Sequence, residues 1–329
     1  MGDLPKIRVN QARPFSHVGI DYCGPFFIKE KKYRNRTKIK IYIAVFVCLV
    51  VKAVHLEVVS DVSTETFLGA LRRFIGRRGK PNVISSDNGS NFIGANNELK
   101  DLGNLLRSEK FNEQTAHILN DQGIEWKFIP PLSPHFEGIW ESAVKSFKHH
   151  FKRVVKDVLF TFEEINTFVI EIEAVLNSRP LTPISNDPND VIALTPGHVL
   201  IGDSLTSLPE LNFKLTPTPR LSRWQHLQKM RQDFWNRSHK EYLNGLNMRH
   251  KWKSGNHRIR DGTIVILKED NTSPLQWVLG RVTKIFPGSD GVIRTVIVKR
   301  LKANLNAKFE NWPRCLSMKT TVNKAANDT

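Results

Sequence analysis

Eleven apolar residues run without a break from Ile41 to Val51 (IYIAVFVCLVV), closed by Lys40 and Lys52. A helix needs about 20 apolar residues to cross a bilayer, so this run is too short to span one. It is rich in Val and Ile, and no polar residue alternates along it. A strand with one wet face would alternate, so the run predicts a strand buried on both faces of its sheet. Its neighbours read the same way. SHVGIDYCGPFFI (16–28) before it and AVHLEVV (53–59) after it are strand-like. Between the first two lies KEKKYRNRTKIK (29–40), with seven basic residues and one acid, which reads as a solvated loop joining adjacent strands.

Beyond Asp61 the period changes. Ser63 or Thr64 is placed to cap a helix carrying Phe67, Leu68, Leu71, Phe74 and Ile75, and Gly76 and Gly79 help to end it. NVISSD (82–87) is a short strand closed by the Asn88-Gly89 turn signal. FIGANNELKDLGNLLRS (92–108) reads as a helix, and GIEWKFI (123–129) as a strand stopped by Pro130-Pro131. A long helix enters through SPHFEG, and another covers about 161–178. Three strands, helix, strand, helix, strand and two helices predict an α/β domain with a mixed sheet. Residues 181–220 are proline-rich and without sustained period. Residues 222–243 are helical, with Trp224, Leu227, Met230, Phe234 and Trp235 on roughly one side. The last strands, TIVILKE, QWVLGRVTKIF and IRTVIVKRL, fit a small barrel.

At 329 residues the chain has room for about two domains. Its net charge of +17 points to a polyanionic partner, nucleic acid or an acidic membrane surface. The charge is uneven: residues 214–329 hold 23 basic and 8 acidic side chains, residues 1–213 hold 26 and 24. Cys23, Cys48 and Cys315 are isolated, so neither a zinc ribbon nor a disulfide framework is supported, and a reducing compartment is expected. The start, MGDLPKIRVN, has no apolar signal core, and secretion is not expected.

Three carboxylates stand out by position. Asp21 lies in the first strand, Asp87 ends the strand after the first helix, and Glu141 lies in the first turns of the long helix. Neighbouring strands and a helix packed across them bring such groups together. Like charges that close raise one another's pKa unless something neutralises them. A divalent cation with a taste for hard oxygen ligands does so. Two such ions about 3.5–4 Å apart activate a nucleophile and stabilise a leaving oxygen at phosphorus. Taken singly, Asp21 is a strand Asp, Asp87 is a turn former before Asn-Gly, and Glu141 is one polar helix position with Glu137 as its rival a turn earlier.

RPFSHVGIDYCGPF (13–26), AVHLEVVSD (53–61), ISSDNGSNFIGA (84–95), IPPLSPHFEGIWESAVKSFK (129–148), LNSRPLTPISNDP (176–188), ALTPGHVLIG (193–202) and PLQWVLGRVTKIFPGSDGVIRTVIVK (274–299) carry a resemblance, in content and order, along most of the chain. The chain resembles integrases of BEL/Pao-type long-terminal-repeat retrotransposons, which are related to retroviral integrases. The resemblance implies a ribonuclease H-like catalytic core, a helical connector and a small SH3-like β-barrel. By motif it places the Asp, Asp, Glu metal triad on Asp21, Asp87 and Glu141, choosing Glu141 over Glu137. It implies Mg2+ or Mn2+, two ions, as cofactor. The 53 residues between Asp87 and Glu141 are a longer spacing than retroviral integrases have, and are similar to what BEL/Pao relatives carry. The N-terminal His-His-Cys-Cys zinc module of such integrases has no counterpart here, so a fragment, a degenerate copy or a piece of a polyprotein is expected.

The expected division is 1–14 linker, 15–180 catalytic core, 181–255 connector, 256–305 SH3-like DNA-binding domain and 306–329 tail. Lys145, Lys148 and Lys152 follow Glu141 on one helix face and are expected to contact phosphates. Arg281, Lys284 and Lys299 are expected to do so from the barrel, although alternation lets only about half of its basic residues share a face. His135, His149 and His150 read as surface histidines, and Arg223, Lys229, Arg231, Arg237 and Lys240 as the basic side of a partner-binding or linking helix. The expected function is 3′-end processing and strand transfer on double-stranded DNA by a homo-oligomer. It would act in the nucleus after a cytoplasmic particle stage, without membrane binding. The alternatives are an inactive or co-opted DNA-binding relic and a ribonuclease H-like nuclease.

Overall fold

A computed structural model describes residues 11–30, 37–86, 94–95, 97, 123–128, 134–156, 158–185, 187, 192–246, 259–269, 272–287, 289 and 293–300, with backbone alone at 134–143 and 294. The predicted helix at 92–108 falls almost wholly outside that set. The strands are β1 (His17–Lys29), β2 (Lys38–Cys48), β3 (Val54–Val59), β4 (Val83–Ser86), β5 (Glu125–Phe128), β6 (Thr182–Pro183), β7 (Ala193–Leu194), β8 (Ile264–Ile266), β9 (Leu279–Pro287) and β10 (Ile293–Arg300). The helices are α1 (Thr64–Arg78), α2 (Pro134–Val155), α3 (Phe162–Asn177), α4 (Pro196–Ile201) and α5 (Arg223–Leu246).

The first five strands form one sheet in the order β3-β2-β1-β4-β5. β1, β2 and β3 pair antiparallel, and β4 and β5 run parallel to β1. This mixed sheet with flanking helices is the ribonuclease H-like arrangement. The apolar run forms most of β2, between β1 and β3. Its even positions Ala44, Phe46 and Cys48 pack with Val18, Ile20, Phe67, Leu71 and Phe74 on the α1 side. Its odd positions Ile43, Val45 and Val47 pack with Phe147, Phe151, Phe168 and Ile172 on the α2/α3 side. That double burial is why the run carries no polar alternation.

α1 starts where Ser63 accepts a hydrogen bond from the Thr66 amide. It ends at Gly79, whose φ of 82° is a left-handed value and whose N–H donates to the Ile75 carbonyl. Arg13, placed in the linker by its sequence, donates to the carbonyls of Arg78 and Lys80 at 2.6 and 2.5 Å, and so closes the end of α1.

β3 is an edge strand, and its outer rim is closed by side chains instead of a further strand. The Asn177 amide accepts from the Val54 N–H at 2.8 Å and donates to the Val54 carbonyl at 2.7 Å. One turn earlier on α3, Glu173 accepts from the Leu56 N–H at 2.8 Å. Residues four apart on a helix thus meet residues two apart on a strand, and the edge is covered at Val54 and Leu56 against pairing with another chain. His55, 1% exposed, lies between Glu57 (3.0 Å) and Glu173 (3.2 Å). Arg73 and Arg77 add ion pairs to Glu57 at 2.7 and 2.9 Å, and Arg78 pairs with Glu173. Burial alone would lower the His55 pKa, but its hydrogen bonds to the two carboxylates outweigh burial and raise it. Burial alone would raise Glu57 and Glu173, but His55 and the arginines hold both below the usual carboxylate range.

The second layer is α2, α3 and α5. α2 buries Val144, Phe147, Phe151 and Val155, and α5 adds Leu227, Met230, Phe234 and Trp235 to the same core. α5 is therefore packed on the ribonuclease H-like core. Several basic residues of the helix are occupied within the chain. Arg223 pairs with Glu164 at 2.8 Å, Arg231 with Glu171 and Glu210 at 3.0 and 2.7 Å, and Lys229 donates to the Thr216 carbonyl. Trp224, which the sequence puts on the aromatic side, is 56% exposed; it stands in the first turn of the helix, ahead of the buried Leu227. His150 is buried, not a surface histidine: it bonds Glu241 of α5, to which Ser146 also donates at 2.7 Å.

Within the proline-rich stretch, β6 pairs with β7, and α4 is capped by Thr195. Where a small barrel was expected, the described residues form an open three-stranded antiparallel sheet, β10-β9-β8, around Val265, Leu267, Val282 and Val296. Ahead of β9, the Trp277 ring lies 5.0 Å from Trp235 and 4.7 Å from His239 of α5, and its indole N–H donates to Ser178 Oγ at 3.1 Å. Burial, with Lys268 and Lys240 nearby, lowers the His239 pKa to about 4, so this imidazole, tilted between the two indoles, is neutral.

Candidate active site

Asp21 sits on the central strand, opposite Val45 of β2. Val45 belongs to the α2/α3 side of the sheet, so the carboxylate projects toward α2. The parallel register sets Ile20 against Ser86, the last residue of β4, so Asp21 and Asp87 each follow a paired residue. Asp87 itself lies outside the described residues. Glu141 falls in α2, two turns before Lys148, and its side chain is likewise outside them.

Lys148 Nζ stands 2.8 Å from Asp21 Oδ2. The other oxygen, Oδ1, accepts from the Tyr22 amide at 2.6 Å. The two side chains are 34% and 33% exposed, which leaves the pair open to solvent on one side. The contact joins the helix face named by Glu141 and the lysines to the strand named by Asp21. Lys145 and Lys152, a turn to either side of Lys148, are exposed. Burial pushes the neighbouring Cys23 thiol up to about 12, so this group is no nucleophile at neutral pH.

Among the described residues no three His, Cys, Asp or Glu side chains converge to hold a metal ion. Of the three carboxylates expected to form a triad, the one whose side chain is described, Asp21, has the chemistry to fit a hard divalent cation. It is a carboxylate one-third open to solvent, and a cationic ammonium already stands against one oxygen. Asp87 and Glu141 are the other residues that would hold such an ion.

The barrel residues separate. Arg281 is 5% exposed and donates to the carbonyls of Gly262 (2.8 Å) and Ser185 (3.1 Å), so it fastens β9 to the preceding segments instead of facing outward. Lys284 and Lys299 are exposed, and Lys284 Nζ lies 5.2 Å over the Phe286 ring. The Lys148–Asp21 contact had no local signal in the sequence, since 127 positions separate the two.

The sheet, its flanking helices and a carboxylate on the central strand define a ribonuclease H-like core. Residues 11–134 match the integrase core domain family, so this part of the chain is integrase-like. Residues 222–310 match a second family, described as a family of unknown function (DUF5641). That match takes in α5 and the C-terminal sheet together, the two parts joined through Trp235 and Trp277. No curated protein matches the chain. Among solved structures, the intasome of simian T-cell lymphotropic virus in complex with PP2A regulatory subunit B56 gamma is similar over 93% of this chain and 85% of that one, at 13% identity and a TM-score of 0.37. The HTLV-2 integrase catalytic core domain in complex with magnesium (trimeric form) is similar over 45% of this chain and 76% of that one, at 17% identity and a TM-score of 0.27. The family match over 11–134, rather than these distant likenesses, carries the functional reading.

Proposed function

We propose that the chain is the integrase of a BEL/Pao-type retroelement, a polynucleotidyl transferase that processes the 3′ ends of element DNA and joins them to target DNA. The observation that supports this most is Asp21, within the integrase-matched region, on the central strand and in contact with the helix that carries Glu141. In the first step water attacks a phosphodiester near the element's end and frees a 3′-hydroxyl. In the second that hydroxyl attacks a target phosphodiester in line, and the target strand's 3′-oxygen leaves with the proton as a new 3′-hydroxyl. Mg2+ or Mn2+, two ions held by Asp21, Asp87 and Glu141, supplies nucleophile activation and charge stabilisation at phosphorus. The carboxylates act as ligands and not as nucleophiles, so no covalent enzyme intermediate forms. Lys145 and Lys152 hold the DNA backbone beside the site, and Lys284 and Lys299 do so from the C-terminal sheet. Such contacts give affinity with little sequence reading. Joining two DNA ends calls for a homo-oligomer, and the site of action is nuclear, after a cytoplasmic particle stage, with no membrane partner.

The test is strand transfer with labelled element ends and Mg2+ or Mn2+, with Asp87→Asn run beside the wild type. Metal-dependent joining that Asp87→Asn abolishes is the expected result. DNA binding without joining would establish the relic reading instead, and cleavage of RNA–DNA hybrids in place of joining would establish a nuclease.

A further inference from the structure

We infer that Lys148 is an exchangeable counter-ion: it occupies the cation position on Asp21 in the DNA-free protein, and it leaves for a DNA phosphate when a divalent ion arrives. This rests on the reading of Asp21 as a metal ligand.

Three observations carry it. The Lys148 ammonium sits on Asp21 Oδ2 at 2.8 Å, while Oδ1 is taken by the Tyr22 amide, so an ion binding through Oδ2 meets an existing cation there. Among the described residues the pair is one lysine and one carboxylate, each one-third exposed, unlike the buried multi-partner network at β3, so it is cheap to open. Lys148 also stands between exposed Lys145 and Lys152 on α2, and its flexible four-carbon stem lets the ammonium swing from Asp21 to a backbone drawn along that ridge. A monovalent ammonium and a divalent ion on the same oxygen repel each other. Metal entry therefore frees Lys148 for DNA, and DNA binding empties Asp21 for metal. The two ligands are coupled, and the coupling is reciprocal.

The test is Mn2+ binding to the full chain without DNA, followed by the electron paramagnetic resonance signal of free Mn2+. Lys148→Met removes the charge and keeps much of the length, and is expected to tighten Mn2+ binding about 3- to 10-fold. Lys148→Arg keeps the charge and is expected to stay near wild type, and Asp21→Asn is expected to weaken binding. Adding a DNA duplex end should tighten Mn2+ binding more in wild type than in Lys148→Met. If Lys148→Met binds no tighter while Asp21→Asn binds more weakly, the exchange is overturned and the metal reading stands. If Lys148→Arg tightens as much as Lys148→Met, charge is not the cause and the exchange is again overturned. If Asp21→Asn binds as wild type does, the metal reading of Asp21 falls and takes the exchange with it.

Discussion

Glu57 and Glu173 at the β3 edge are nearly sealed from solvent, and each meets His55 and at least one arginine or backbone amide. Asp21, two strands away, meets one lysine and the Tyr22 amide among the described residues, on a face one-third open. Both are carboxylate–cation sites in the same sheet. The first has had its hydration replaced by a fixed set of partners, and removing any one of them strands a buried charge. The second keeps water at hand, so its partner can be exchanged at little cost. The contrast separates a place built to hold the fold from a place able to take a ligand.

Breaking the first site should cost stability. Glu173→Ala leaves His55, Arg78 and the Leu56 amide short of a partner inside the core. It is expected to lower unfolding free energy by about 3–5 kcal/mol, read from urea denaturation. Asn177→Leu leaves the Val54 N–H and carbonyl unpaired at the sheet edge, and about 2–4 kcal/mol is expected by the same measurement. It should also raise the tendency to aggregate, since it uncovers a strand edge.

The pH dependence sharpens the same comparison. The raised pKa of His55 means its contribution is complete below about pH 6.5 and is lost as pH climbs through the higher folded value. The lowered pKa values of Glu57 and Glu173 mean theirs are complete above about pH 4.5 and are lost as pH falls through the lower folded values. The urea midpoint should therefore decline on both sides of this window. His55→Gln should flatten the alkaline limb and keep the acid one.

The smallest effects belong to the open face. Lys145→Ala and Lys152→Ala should leave the melting temperature unchanged. Each should reduce the salt dependence of DNA binding by about one phosphate contact, measured by fluorescence anisotropy across a salt series.

Much of the fold was legible in the chain because burial leaves a pattern. A run with no polar alternation had to be a two-faced strand, and β2 is one. Ser63 or Thr64, and Gly76 with Gly79, marked the ends of α1, and the structure uses Ser63 and Gly79. Partner choice over long distance left no pattern. Glu173 and Leu56 are 117 positions apart, and nothing local tells a clamp from a surface acid. The aromatic side of α5 was visible, but not the surface it meets, which is the core formed with α2 and α3. His150 and Arg281 were read as outward-facing because charged and imidazole groups usually are. In the fold each finds specific partners, Glu241 for one and two backbone carbonyls for the other, and is buried. For the site, Asp21 stands out in the sequence only together with Asp87 and Glu141, since a lone strand Asp carries no signal of its own. Of these three the structure describes the side chain of Asp21, and it supplies Lys148 as that carboxylate's neighbour.

The most direct test of the account is to measure joining and stability together on Asp21→Asn and Glu173→Gln. Asp21→Asn is expected to lose metal-dependent strand transfer while keeping the wild-type melting temperature within a few degrees, and Glu173→Gln to melt much lower while the fraction still folded joins DNA. Strand transfer that survives Asp21→Asn at wild-type rate would contradict the assignment of Asp21 to the catalytic site.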